Sequence, residues 1–148
     1  MNRFITVAIV TWCAASVAAF AAEAAGPVGT WKTVDDNTGK AKAHVEIREE
    51  GGVLYGKITK LINPEVPNPL CDKCSGNLKD KPVLGMQILW GLKKNGDAEW
   101  SDGYILDPEN GKVYRCKLSL TGNGTTLEVR GYLGFSLLGR TQEWSRIR

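Results

Sequence analysis

Four cysteines and a single histidine carry most of the side-chain chemistry that this 148-residue sequence offers. Cys71-Asp72-Lys73-Cys74 is a C-x-x-C pair, a spacing used by thiol–disulfide centres, by zinc sites and by short covalent clips. A redox C-x-x-C opens a helix, whose N-terminus lowers the thiol pKa. Here Pro67 and Pro69 precede the pair and Ser75-Gly76-Asn77 follow it, so no helix is expected. A structural zinc site needs four ligands. Cys71, Cys74, Cys116 and His44 make four on paper, but strand alternation sets His44 outward and Cys116 inward. No metal and no cofactor are therefore expected, and the pair reads as a structural clip. Three pairings are open among Cys71, Cys74 and Cys116. The local bond is favoured because Cys116 falls mid-strand and inward, whereas a bond to Cys116 would pin the loop to that strand.

Other catalytic sets are thin. With one histidine on a solvated face, no Ser–His–acid arrangement forms. Asp35-x-Asn37-x-Gly39, with Glu46 further on, echoes a calcium loop, but Lys40 stands where the sharp turn needs glycine. It reads as an ordinary Asp/Asn/Gly turn. No catalytic residue is assigned, and a non-enzymatic protein is expected.

The elements that hold these residues are short and alternate with period two. Ala41, Ala43, Val45 and Ile47 share one face, and Lys42, His44, Glu46 and Arg48 the other. Tight turns punctuate the chain at 35–40, 49–52, 93–97, 107–112 and 121–125, three of them with Asn-Gly. The pattern predicts eight strands, at 28–35, 41–48, 53–61, 84–91, 98–106, 112–120, 126–133 and 138–147. Sequential hairpins favour an up-and-down antiparallel β-barrel, since closure removes both exposed edges. One end would carry the short turns at 49–52, 93–97 and 121–125. The other would carry 36–40, the long 62–82 segment, 107–111 and the apolar link at 134–136, and long loops tend to be functional.

Alternation also places polar groups inside. Leu84, Met86, Ile88, Trp90 and Leu92 share a face; so do Trp100, Asp102, Tyr104 and Leu106, and likewise Tyr114, Cys116, Leu118 and Leu120. Keeping Trp144 inward brings in Leu138, Arg140, Gln142 and Arg146. A buried carboxylate and a buried guanidinium need each other, so Asp102 and Arg140 are expected in one interior network with Gln142. That network would orient a ligand or serve the architecture alone, unless a bulge turns one partner outward. The expected ligand-lining set is Met86, Trp90, Trp100, Asp102, Tyr104, Tyr114, Phe135, Arg140 and Gln142.

The first residues read as an export signal: Arg3, an apolar run over Ile5 to Val17, then Ala-x-Ala steps that place cleavage near Ala21 or Ala24. Residues 22–148, about 127 in number, would then form one domain. The formal charge of +3 falls to about +2 without Arg3, too weak and dispersed for a nucleic-acid partner. No later segment is long and apolar enough to be a transmembrane helix. The expected location is periplasmic or secreted.

Gly29-Thr30-Trp31 resembles the G-x-W signature of lipocalins and their calycin relatives, in which a last-strand arginine packs over that tryptophan. Arg146, or else Arg140, would take that place, with Trp31 and Trp144 at the barrel closure. The stretches GTWKTVDDNTGKAKA, CDKCSGNLKDKPVLG, GYILDPENGKVYRCKL and VRGYLGFSLLGRTQEWSR resemble an exported bacterial family known as a domain of unknown function. That resemblance implies a lipocalin-like barrel and brings no catalytic residue with it.

Two functions follow as expectations. The first is binding or carrying a small, partly apolar or amphipathic ligand, with the cysteine loop and Phe135 at the mouth. The alternative is an interaction module that docks its loop end, with Leu133, Phe135, Leu137 and Leu138, on an envelope protein or the membrane surface. An enzyme using Asp102 or the cysteines is the third reading.

Overall fold

The computed structural model describes residues 26–147; the export signal expected at 1–21 lies outside the described residues. Eight strands follow in order: β1 (Gly29–Val34), β2 (Ala41–Glu50), β3 (Val53–Leu61), β4 (Gln87–Lys94), β5 (Glu99–Asp107), β6 (Lys112–Thr121), β7 (Thr126–Tyr132) and β8 (Gly139–Arg146). Each pairs antiparallel with its sequence neighbour, and β1 pairs with β8 to close the barrel. The closing seam is short, Trp31 opposite Arg146 and Lys32 opposite Ser145.

Alternation explains why the interior is where it is. Trp31, Val45, Ile47, Leu54, Leu118 and Leu127 are fully buried and project inward from five strands. They fill the end that carries the short turns, so that end is plugged by side chains. Trp31 anchors it. Its indole N–H donates to Pro27 O at 2.8 Å, and the Arg146 guanidinium lies 4.2 Å from its ring centroid. Arg146 in turn donates to the carbonyls of Gly124, Val28 and Gly26 at 2.6, 2.9 and 2.5 Å. One guanidinium thus ties the incoming chain, the β6–β7 turn and the last strand together.

Register shifts occur along β1–β2, β2–β3, β3–β4 and β5–β6, and those at β5 and β4 bear most on which side chains face inward. In β5, Trp100 opposes Leu118 and Gly103 opposes Cys116, so three steps on β5 match two on β6. The extra residue is a bulge, with Asp102 in the left-handed region at φ 62°. Beyond it the faces exchange: Ile105 turns inward and Tyr104 outward. In β4 the register shifts against β3 on either side of Gly56. Ile88 and Leu89 are both buried, and Trp90 stacks on Tyr104 with ring centroids 5.8 Å apart. The strand also begins later than the expected 84–91, since Leu84 and Gly85 still belong to the loop.

Candidate functional site

The end with the long loop stays open. A cavity of about 1360 Å³ runs from the rim at 35–40, 62–73, 107–109 and 133–139 down to Trp144. That exceeds the ~300–1,000 Å³ of most small-molecule pockets. Its lower wall is apolar, with Ala43, Val45, Ile58, Ile88, Val129 and Trp144. Gly131 widens it: a side chain there would point towards Ile105 and Tyr114.

Polar groups climb one side of the cup in sequence. Trp144 Nε1–H donates to Gln142 Oε1 at 2.9 Å, and Gln142 Nε2–H donates to Asp36 Oδ2 at 2.7 Å. The same Asp36 oxygen takes Arg140 at 2.9 Å. β8 supplies three of these residues because it runs without a bulge, keeping positions 140, 142 and 144 on the inward face. The β1–β2 turn supplies Asp36, shaped by Asp35, whose carboxylate accepts the backbone N–H groups of Asn37 and Thr38 at 3.0 and 2.8 Å. That is the ordinary Asx turn expected at Asp35-x-Asn37.

A second pair joins strands that are not neighbours. Lys42 of β2 meets Glu109 of the β5–β6 turn at 2.5 Å, across the mouth. In the same turn, Asn110 Nδ2–H donates to Asp107 Oδ2 and to the Tyr114 hydroxyl oxygen, each at 3.0 Å.

The cysteine loop forms part of the rim. Cys71 and Cys74 are joined in a disulfide and Cys116 is free and buried, as the local pairing expected. Both bridged cysteines are buried, which their polar surroundings in sequence did not suggest. The loop lies against the β5–β6 turn so closely that a Cβ at Gly111 would run into the Lys73 carbonyl. Gly111 also has φ 70°, so glycine is required there on two counts. Burial alone pushes the Cys116 thiol up to about 12. Among the described residues, no group of three or more His, Cys, Asp or Glu gathers as a metal set would.

The expected ligand-lining residues divide. Tyr114, Arg140 and Gln142 line the cavity. Asp102 does not. The β5 bulge turns it outward, its side chain 74% exposed, with Arg115 at 3.9 Å as its partner. The expected Asp102–Arg140 pair is therefore replaced by a solvated Arg140–Asp36 pair at the mouth and Asp102–Arg115 outside the wall. The same bulge puts Tyr104 outside, stacked on Trp90. Met86 and Trp90 border a shallow outer groove beside Leu78 and Pro82. Trp100 is buried in the core away from the cavity lining, and Phe135 stands out at the β7–β8 tip, 77% exposed. Asp36 and Thr33 are further cavity residues that the expected ligand-lining set did not include.

Eight antiparallel strands closed in a meander, plugged at one end and open at the other, make a lipocalin-like barrel. The chain belongs to the family described as uncharacterized protein conserved in bacteria (DUF2147), which it matches over residues 29–146. Among solved structures it is similar to protein HP1028 from Helicobacter pylori, described as belonging to the lipocalin family. The TM-score is 0.72 at 21% identity, covering 82% of each chain, so the likeness is one of fold. None of the curated proteins compared with the chain matches it.

Proposed function

We propose that this protein is exported to the periplasm and there binds or carries a small, partly apolar molecule without catalysing its conversion. The observation that carries the reading is the open cup itself, apolar below around Val45, Val129 and Trp144 and polar above around Asp36, Arg140 and Gln142. A filled interior would serve stability alone; an open one of this size gives up packing that the core would otherwise gain. Export is supported by the Arg3, apolar and Ala-x-Ala pattern at the start of the chain. No helix among the described residues is long and apolar enough to cross a membrane.

Native mass spectrometry of protein purified from the cell envelope tests the reading. An added small mass that leaves on gentle activation is expected, and protein of bare mass under all gentle conditions would count against it. The β7–β8 tip favours a second reading, docking on an envelope protein or the membrane surface. Leu137 is 89% exposed beside Leu133, Phe135 and Leu138. Arg130 holds this tip in shape by donating to Ser136 O at 2.7 Å and Leu137 O at 3.3 Å.

A further inference from the structure

The cup holds hydrogen-bond donors that are not used up. Thr33 is the one buried polar residue among those described, 7% exposed, and it lines the cavity. Its hydroxyl makes no hydrogen bond among the described residues, yet it is not sealed from the cavity. Tyr114 accepts from Asn110, which leaves its own O–H hydrogen to give. Gln142 has its oxygen taken by Trp144 and one amide hydrogen taken by Asp36, leaving the second amide hydrogen. Each of the three therefore keeps a hydrogen to give.

Charge narrows the choice further. Carboxylates outnumber cations six to four around the cavity, the cations being Lys40, Lys42, Lys73 and Arg140. Arg140 is neutralised by Asp36 and Lys42 by Glu109. Lys40 and Lys73 are exposed at the rim. Below the rim lysines, an anionic head would find both remaining cations, Lys42 and Arg140, already paired.

On the carrier reading proposed above, we infer that the ligand is an apolar molecule whose polar end is an uncharged acceptor, such as an acyl ester or amide, not a free carboxylate. Thr33, Tyr114 and Gln142 supply the donors, and the Asp36–Arg140 pair withholds the one guanidinium that would hold an anion.

Displacement of the neutral dye Nile red by methyl dodecanoate, dodecanoic acid and dodecane at neutral pH tests the inference. The ester is expected to compete at least about tenfold better than the acid, a difference of about 1.4 kcal/mol. Thr33→Val, which keeps the shape and removes the hydroxyl, should weaken the ester roughly three- to tenfold and leave dodecane unchanged, as loss of one hydrogen bond would. Asp36→Asn should free Arg140 and narrow the gap between acid and ester. An acid that binds wild type as well as the ester does, or a Thr33→Val protein that binds the ester unchanged, overturns the head-group assignment while the carrier reading stands. If neither the dye nor any of the three binds, the carrier reading falls and this inference with it.

Discussion

Gln142 joins two parts of the chain that lie 106 residues apart: its Nε2–H donates to Asp36 Oδ2 at 2.7 Å while its Oε1 accepts from the Trp144 indole at 2.9 Å. One amide therefore fixes the height of the β1–β2 turn over the cavity and satisfies the only polar atom of the tryptophan at its base. Replacing Gln142 by Leu should leave the indole N–H without its partner and release the turn. The expected cost is about 1–3 kcal/mol, the usual penalty for a buried group left unsatisfied. Urea unfolding of the two proteins checks it. Asp36→Ala should cost less, about 0–1 kcal/mol, because its ion pair with Arg140 is largely solvated.

Arg146 covers Trp31 and holds three carbonyls, so it should be the most sensitive charged residue at the plugged end. Arg146→Ala is expected to lose about 2–4 kcal/mol, combining a cation–π contact with charge-assisted hydrogen bonds. Arg146→Lys should recover less than half, because one ammonium cannot fork to three carbonyls as a guanidinium does. Thermal unfolding of both variants decides it, and full rescue by lysine would show that charge alone matters there.

The rim makes a less intuitive comparison. Reducing Cys71–Cys74 opens only a very short covalent loop, so the barrel should remain folded and lose little stability. Hydrogen exchange should rise over 62–82 and little elsewhere. Gly111→Ala, a single methyl, should do more harm than reduction. It combines a left-handed backbone, costing about 1–3 kcal/mol, with a clash against the Lys73 carbonyl. A Gly111→Ala protein as stable as wild type would mean that the loop does not lie on the turn.

Cys116 should write an alkaline limb into the stability curve. Its folded pKa is pushed up to about 12 from an ordinary value of 9.0 by burial. The folded state therefore keeps the proton that the unfolded state gives up, and that contribution is complete below about pH 9. It is lost progressively as pH rises towards 12. The measurement is a difference: unfolding midpoints of wild type and Cys116→Val from about pH 8, roughly one unit below the thiol's ordinary 9.0, to about pH 11, still below its folded value of about 12. Wild type should lose more ground than the variant.

The barrel and the sorting of its connections onto two ends were legible because turn residues at 35–40, 107–112 and 121–125 and period-two runs such as 41–48 are local signals. β8, expected at 138–147 and found at Gly139–Arg146, was legible in its facing, since unbroken pairing with β7 keeps Arg140, Gln142 and Trp144 on one side, whereas Leu138 falls before the strand and is exposed. β5 was not, because counting by twos assumes that no residue is skipped. Ser101-Asp102-Gly103 contains the warning, since a polar residue that tolerates positive φ beside a strand glycine marks a bulge. The same slip assigned Trp90 and Tyr104 to the interior, where they are instead an outer stacked pair. Asp36 was out of reach for a different reason. Its partners, Arg140 and Gln142, are brought to it only by barrel closure between the first and last strands.

The cup itself is tested most directly by filling it. Gly131 sits on the inner face of β7, and a Cβ there meets only ordinary contacts with Ile105 and Tyr114, 3.5 Å away. Gly131→Val should be tolerated by the strand, which favours β-branched residues, and should take up cavity space. Thermal unfolding is expected to show a variant at least as stable as wild type, while native mass spectrometry of envelope-purified protein shows the added small mass reduced or gone. A stable Gly131→Val barrel that carries the same added mass in the same proportion as wild type would contradict binding inside the cup.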